Sequence, residues 1–449
     1  MHLVNARTGG QQGLLPRGGP RPARPSRPRT AAFVLLAVLL TGCTASATST
    51  PPNVVRSSAG AAPTTSSGTS GQPSRPGDPV IRGPVTGPES MPPRAPARRP
   101  ARSGTAPGTK AGPSPLNIYL HAGPNMLSEQ VKHFPAYAYV PHNKSGDVWV
   151  IDQRSHRVVR KCSVGTELQH VVPSFDLRTL YATSDQGNRV LLIDPATGKC
   201  GRTIPVLDPY NMYFTPDGRS AISVAEARRE LVWYTPTTFR KTDSTALPGC
   251  AGVDHADFSA DGRTAVFTCE FAGRVAVVDV RSHRLLRMVD MPVRNLMMGP
   301  QDIKLAPDAH LFYIADSEAN GVWVLNGAAT SVVRFIPTGR GAHGLYLSRD
   351  SRRLFVTNRL EGSISVLDAA NGTVETKWRI PGGGSPDMGN VSADGSQLWV
   401  SGRYHKVVYV LSTSNGRLLA KIPVGDGPHG MALMPIPGRY SLGHTGITR

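Results

Sequence analysis

The chain has 449 residues, 47 of them Gly and 40 Pro, and its 50 basic and 31 acidic side chains give a net charge of +19. Much of that charge sits in residues 1–43, with six Arg and no acid, and in residues 44–115, with eight basic residues against Asp78 and Glu89, so it is weak grounds for nucleic-acid binding. No run of about 18 apolar residues is present to form a spanning helix.

In chain order, an Arg-rich start leads to the apolar segment Ala31–Leu40 and then to Thr41-Gly42-Cys43. This has the length and flanks of a signal-peptide core. The ending Leu-Thr-Gly-Cys resembles the bacterial lipobox, which implies cleavage after Gly42, lipidation of Cys43 and a membrane anchor on the extracytoplasmic face. Residues 1–42 are therefore expected to be a lipoprotein signal peptide. Residues 43–115, rich in Ser, Thr, Pro, Gly and Arg, bury too little apolar surface to offset chain entropy and are expected to be a disordered tether.

From residue 116 a short alternating run recurs seven times: Val148-Trp-Val-Ile-Asp152, Val190-Leu-Leu-Ile-Asp194, Leu231-Val-Trp-Tyr-Thr235, Val275-Ala-Val-Val-Asp279, Val322-Trp-Val-Leu-Asn326, Ile364-Ser-Val-Leu-Asp368 and Val408-Tyr-Val-Leu-Ser412. The spacing of 41 to 47 residues matches one four-stranded blade per repeat, so the fold class is all-β, a seven-bladed β-propeller over 116–435, with 436–449 as a C-terminal tail. Asp217-Gly218, Asp261-Gly262 and Asp394-Gly395 suit tight hairpins. Asp308-Ala309 and Asp350-Ser351 occupy the same place without glycine and predict another turn type. Ala138–His142 lacks a preceding strand and Pro428–Met434 lacks a following one, so the two fragments should complete one blade between them and close the ring.

Leu354-Phe-Val-Thr-Asn358 resembles the motif of the YVTN-repeat β-propellers, relatives of the quinoprotein amine dehydrogenase and haem d1 propellers. Ser385-Pro-Asp-Met388, Cys250-Ala-Gly-Val-Asp-His255 and Gly438-Arg-Tyr-Ser-Leu-Gly-His444 resemble a secreted actinobacterial lipoprotein branch of that family. The resemblance implies the fold and carries no reaction. The Trp-Asp ending of WD repeats and the docking motif of PQQ dehydrogenases are both missing.

Equivalent positions in a propeller become rings around its channel. Superposing the repeats places Gln169, Tyr210, Asp254, Gln301, His343, Asp387 and His429 at the start of the inner strands. The next position holds His170, Asn211, His255, Asp302, Gly344, Met388 and Gly430. A second ring at the ends of the second strands, Asn143, Asp185, Glu226, Glu270, Ser317, Arg359 and Arg403, is acidic on one side and basic on the other. That asymmetry suits a dipolar small ligand, a peptide or an envelope protein with patched charge. His170, His255, Asp254 and Glu270 are candidates for a divalent metal, since imidazole and carboxylate suit zinc or copper. Hydration of a narrow channel accounts for the same polar lining without any ligand.

No nucleophile elbow, paired-carboxylate signature or phosphate loop is present, which leaves a non-catalytic binding protein ahead of a metal-dependent hydrolase or lyase and of a structural scaffold. Arg403-Tyr404-His405-Lys406 reads as a solvated loop and makes nucleic acid an unlikely partner.

Cys250 and Cys269 belong on one face of one blade and are expected to pair, stabilising by roughly 3 kcal/mol. Cys162 and Cys200 fall on outer strands of adjacent blades at different heights, which disfavours a bond between them.

Overall fold

The computed structural model describes residues 116–293, 297–444 and 446–449. The expected signal peptide (1–42), Cys43 and the tether (43–115) lie outside them. The alternating runs form seven antiparallel sheets, each ordered from an innermost to an outermost strand. Blade 1 is Tyr137–His142, Asp147–Asp152 and Arg157–Ser163, and blade 2 is Val171–Pro173, Leu180–Ser184, Arg189–Asp194 and Lys199–Pro205. Blade 3 is Pro209–Phe214, Ala221–Ala225, Glu230–Tyr234 and Lys241–Ala246. Blade 4 is Val253–Phe258, Thr264–Cys269, Arg274–Asp279 and Arg284–Asp290. Blades 5, 6 and 7 start at the inner strands Pro300–Leu305, Ala342–Leu347 and Pro386–Val391 and end at the outer strands Val332–Pro337, Val374–Arg379 and Leu418–Pro423.

The ring closes as the two half-blades predict. Ala432–Met434 is the inner strand of blade 1, pairing Met434 with Tyr137 and Ala432 with Tyr139. Inner and middle strands are buried on both faces, whereas outer strands such as Arg157–Ser163 are mostly exposed. Apolar residues consequently gather in seven wedges between neighbouring blades, such as Tyr213, Trp233, Phe258 and Phe267 between blades 3 and 4. The centre is left to polar side chains.

Two sequence expectations are corrected. Ala309 and Ser351 adopt φ of 64° and 59°, close to the 68° of Gly218 and Gly262, and make the same turn hydrogen bond, Ala309 N–H to Ala306 O and Ser351 N–H to Ser348 O. The flanking strands impose one turn on all these hairpins, and the non-glycine residues bear its cost of about 1–2 kcal/mol. Cys162 is bonded to Cys200, with Cα atoms 6.2 Å apart, as well as Cys250 to Cys269. Successive strands of a sheet rotate by about 20–25°, so an outer strand runs around the rim more than along the axis. The far end of blade 1's outer strand thereby meets the near end of blade 2's.

The segment set apart as a tail is built into the channel. Ser441–Gly443 pairs with the inner strand of blade 3 and Ile447–Thr448 pairs with it in turn, making that sheet six-stranded. Gly443 has φ of 100°, and a Cβ there would lie 2.4 Å from Met212 O, so only glycine permits this approach. Residues preceding blade 1 cover the same end of the channel, with Asn125 N–H donating to Ala393 O and Gly438 N–H to Met126 O.

What aims side chains into the channel is a β-bulge near the start of each inner strand of blades 3 to 7. In blade 4, Asp254 and His255 together face Thr268. In blade 6, His343 and Gly344 face Thr357, and in blade 7, Asp387 and Met388 face Ser401. A second-strand hydroxyl serves the amide or carbonyl freed by the bulge. His255 N–H donates to Thr268 Oγ1 (3.0 Å), Gly344 N–H to Thr357 Oγ1 (2.7 Å), and Ser401 Oγ donates to Met388 O (2.9 Å). Blade 2 repeats this with His170 N–H on Thr183 Oγ1 (3.0 Å). Thr357 Oγ1 also donates to Asp387 O in blade 7 (3.0 Å). The isosteric change Thr357→Val leaves that amide and carbonyl unpaired, and urea denaturation should show a loss of about 1–3 kcal/mol. A loss under about 0.5 kcal/mol would mean that the hydroxyl does not hold the bulge.

Candidate functional site

The bulges deliver the inner ring in blades 3 to 7, and both predicted rings are present. His170, Asp254, His255, Asp302, His343, Asp387 and His429 all sit at the starts of inner strands, at most 2% exposed. Asp185, Glu226, Glu270, Arg359 and Arg403 follow the second strands on the funnel above them, Arg359 buried and the others half-buried. Cys269, bonded to Cys250, immediately precedes Glu270 and ties the loop before Asp254 to it.

The basic side is organised around Asp387. Arg359 Nη1 lies 3.1 Å from Asp387 Oδ1 and Arg403 Nη1 3.6 Å from Oδ2, while His343 Nδ1 and His429 Nε2 lie 3.2 and 3.7 Å from the same carboxylate. One carboxylate cannot satisfy two guanidiniums, and Arg359 Nε and Arg403 Nη1 are buried with no hydrogen-bond partner.

The acidic side has the complementary deficit. Oδ2 of Asp254 and Oδ1 of Asp185 are buried without a hydrogen-bond partner. Burial, reinforced by Asp254, Glu270, Asp185 and Asp208, raises the Glu226 carboxyl to about 8. Burial and then Asp254 raise Glu270 to about 7, against the opposing pull of its bond to Gln301 and of Arg359. Burial, with Asp302 next, holds Asp254 well above the usual carboxylate range. An open cleft of about 560 Å³ lies on this side, lined by Asp185, Asp208 and Glu226.

Below the funnel, five imidazoles crowd the axis. His170 Nε2 is 3.3 Å from His255 Nε2, and His170 lies 4.7 Å between ring centroids from His429. The fifth is His444 from the tail, 4.5 Å from His255 between ring centroids. Burial depresses all of them well below the usual imidazole value, His255 to about 4.

Of the predicted metal candidates, His170 and His255 meet with His444, all three offering ring nitrogens within 4.8 Å of one another. His343, Asp387 and His429 form a second such group. Asp302 is tied up in the scaffold, its Oδ1 accepting from Ile303 N–H (2.9 Å) and its Oδ2 from Leu345 N–H (2.8 Å) of the next blade.

Sequence reasoning missed His444, and also the buried trio of Tyr119, Asp257 and Arg449, in which Arg449 Nη2 donates to Asp257 Oδ1 (2.7 Å). The signal available was the density of glycines around His444, at Gly438, Gly443 and Gly446, beside apolar Leu442 and Ile447.

Residues 299–437 match the YNCE-like beta-propeller family. Among solved structures the chain is similar to a functionally unknown protein from Desulfotomaculum acetoxidans, with 14% identity over 66% of this chain and 98% of that one and a TM-score of 0.56. It is also similar to hydrazine synthase from Kuenenia stuttgartiensis, with 16% identity over 58% and 87% and a TM-score of 0.50. A third is the dihydro-heme d1 dehydrogenase NirN in complex with DHE, with 13% identity over 66% and 74% and a TM-score of 0.51. No curated protein matches. At these identities the likeness shows the fold, and with the seven sheets it places the chain among the β-propellers.

The raised Glu226 carboxyl makes a linkage prediction. Between its ordinary value near 4.5 and its folded value of about 8, the folded state binds more proton than the unfolded state, so this group makes stability fall as pH rises through that window. Glu226→Gln removes the contribution. The variant's melting temperature should decline less between pH 5 and pH 8.5, ending about 2 °C or more above wild type at the alkaline end. Parallel melting curves for the two proteins would contradict the burial of an ionisable group there.

Proposed function

We propose that this protein is a lipid-anchored, extracytoplasmic propeller that captures a small dipolar molecule in its funnel, a ligand bearing an ammonium group and a carboxylate. The observation that carries this reading is the pairing of deficits across one opening. Arg359 Nε is a buried donor without an acceptor and Arg403 Nη1 has only a long 3.6 Å contact to Asp387, while Asp254 Oδ2 and Asp185 Oδ1 are buried acceptors without donors. Leaving such groups unpaired costs about 1–3 kcal/mol each, more for charged ones, which a ligand of opposite polarity recovers on binding. Burial first and mutual repulsion second raise Glu226 and Glu270, and an ammonium group offsets both. The guanidiniums, held in place by Asp387, are set to fork a carboxylate.

The anchoring part of the reading rests on Leu40-Thr-Gly-Cys43 and is supported by two disulfides, which persist in oxidising compartments.

Two measurements test it. Thermal melting of the purified protein with free amino acids and dipeptides as probes should show at least one that raises the melting temperature by about 5 °C near saturation. The rise should disappear in both Arg403→Ala and Glu226→Gln. A uniform lack of response, or a response that both variants retain, would remove the dipolar-ligand reading. Separately, radiolabelled palmitate fed to bacteria expressing the full chain should label wild type and leave Cys43→Ala unlabelled in the soluble fraction. Label persisting in that variant would rule out anchoring at Cys43.

A further inference from the structure

We propose that the floor of the funnel is a transition-metal site formed by His170, His255 and His444, with Asp254 as the carboxylate that supports it. The three imidazoles come from blade 2, blade 4 and the threaded tail, segments far apart in sequence that meet only in the closed ring.

Two of them, His170 and His255, are oriented as ligands, whereas His444 Nδ1 takes the side-chain amide of Asn211 (3.0 Å), so its Nε2 reaches an ion only when Nδ1 takes the proton and gives up that bond. His170 Nδ1 lies 2.9 Å from the carbonyl of Tyr210, which can only accept, so Nδ1 holds the proton and Nε2 presents its lone pair. His255 Nδ1 is turned to Asp254 Oδ1 at 2.6 Å, and its Nε2 faces that of His170 at 3.3 Å. Ligating histidines are commonly held this way, the outer nitrogen on a carbonyl or carboxylate and the inner one on the ion.

The spacing agrees with this. Two nitrogens bound at about 2.0–2.1 Å in a tetrahedral zinc site are separated by about 3.3–3.4 Å. With Nδ1 turned to Asp254, His255 presents Nε2 to the Nε2 of His170, and an ion between them would take a lone pair from each. Independently, Asp254 Oδ2 is buried without a hydrogen-bond partner, and His444 Nε2 has none either, its nearest carboxylate oxygen being Asp302 Oδ1 at 3.6 Å. Asp254 is 1% exposed and His444 equally so. An ion at this point gives the third imidazole a partner and lies within one imidazole of Asp254.

The neighbouring group of His343, Asp387 and His429 is the weaker site, because Arg359 and Arg403 already neutralise its carboxylate and oppose a second cation. All four cysteines of the propeller are in disulfides, so the donor set is nitrogen and oxygen and selects zinc or copper rather than thiolate-seeking ions.

The proposal shares Asp254 with the dipolar-ligand reading but does not depend on it. Metal binding with no amino-acid response, or the reverse, separates the two.

The test uses the full chain stripped with chelator and titrated with Zn²⁺ and, for its visible spectrum, Co²⁺. One equivalent should bind, with the intense visible bands of four-coordinate cobalt. His170→Ala and His444→Ala should weaken binding about 100-fold or more, and His429→Ala should not. Binding well below one equivalent, or loss in His429→Ala with retention in His444→Ala, would overturn the assignment. Should His444→Ala fail to fold, electron paramagnetic resonance of wild type loaded with Cu²⁺ decides. Superhyperfine splitting from three nitrogens supports the site, and a signal without nitrogen coupling overturns it.

Discussion

The chemistry of the channel depends on one local irregularity, an extra residue near the start of an inner strand, held by a hydroxyl on the strand beside it. A regular strand sends neighbouring side chains to opposite faces. The bulge brings Asp254 and His255 jointly against Thr268, and both end up buried at the channel. Without Thr183, Thr268, Thr357 or Ser401 the freed backbone groups would be buried and unpaired, a strong reason for the strand to revert to a regular ladder. The threonine of Leu354-Phe-Val-Thr-Asn358 is thus a chemical requirement of the inner strand next to it. Because its oxygen also reaches Asp387 O, the same side chain ties blade 6 to blade 7.

Stability and chemistry are divided between different layers. Wedges of aromatic and branched residues between blades exclude water from the wall. The axis, having little apolar surface to offer, holds the charges. Most of these are satisfied: Asp257 by Arg449 and Leu305 N–H, Asp302 by two backbone amides, Asp387 by two guanidiniums. Asp254 differs in having no guanidinium or amide, only the His255 ring at 2.6 Å, and burial correspondingly holds its carboxyl well above the usual range. Local departures of this kind are tolerated where a rigid surround enforces them, and they tend to mark places where a protein meets its ligand.

The fold was legible because repeat spacing maps directly onto blade number, and the rings were legible because equivalent offsets in each repeat share one height along the axis. The half-blades Ala138–His142 and Pro428–Met434 likewise announced their own pairing. What escaped were features set by the twist and by context. Cys162 and Cys200 differ in position along their strands, yet the rotation of each sheet turns that difference into one around the rim, where the two meet. Ala309 and Ser351 accept a backbone conformation their side chains do not favour because the strands on either side leave no other. Residues 436–449 carry no repeat, and a segment outside the periodicity gives no offset from which to place His444.

That last segment also fixes an order of completion. Translation delivers Ala432–Met434, which zips the wall shut, before it delivers the strand Ser441–Gly443 and the imidazole that follows. A chain interrupted between Met434 and Ser441 would therefore yield a cylinder whose perimeter is whole and whose hub is hollow. Abundance and competence become separable traits in such a molecule, because its wall and its hub are built by different stretches of chain.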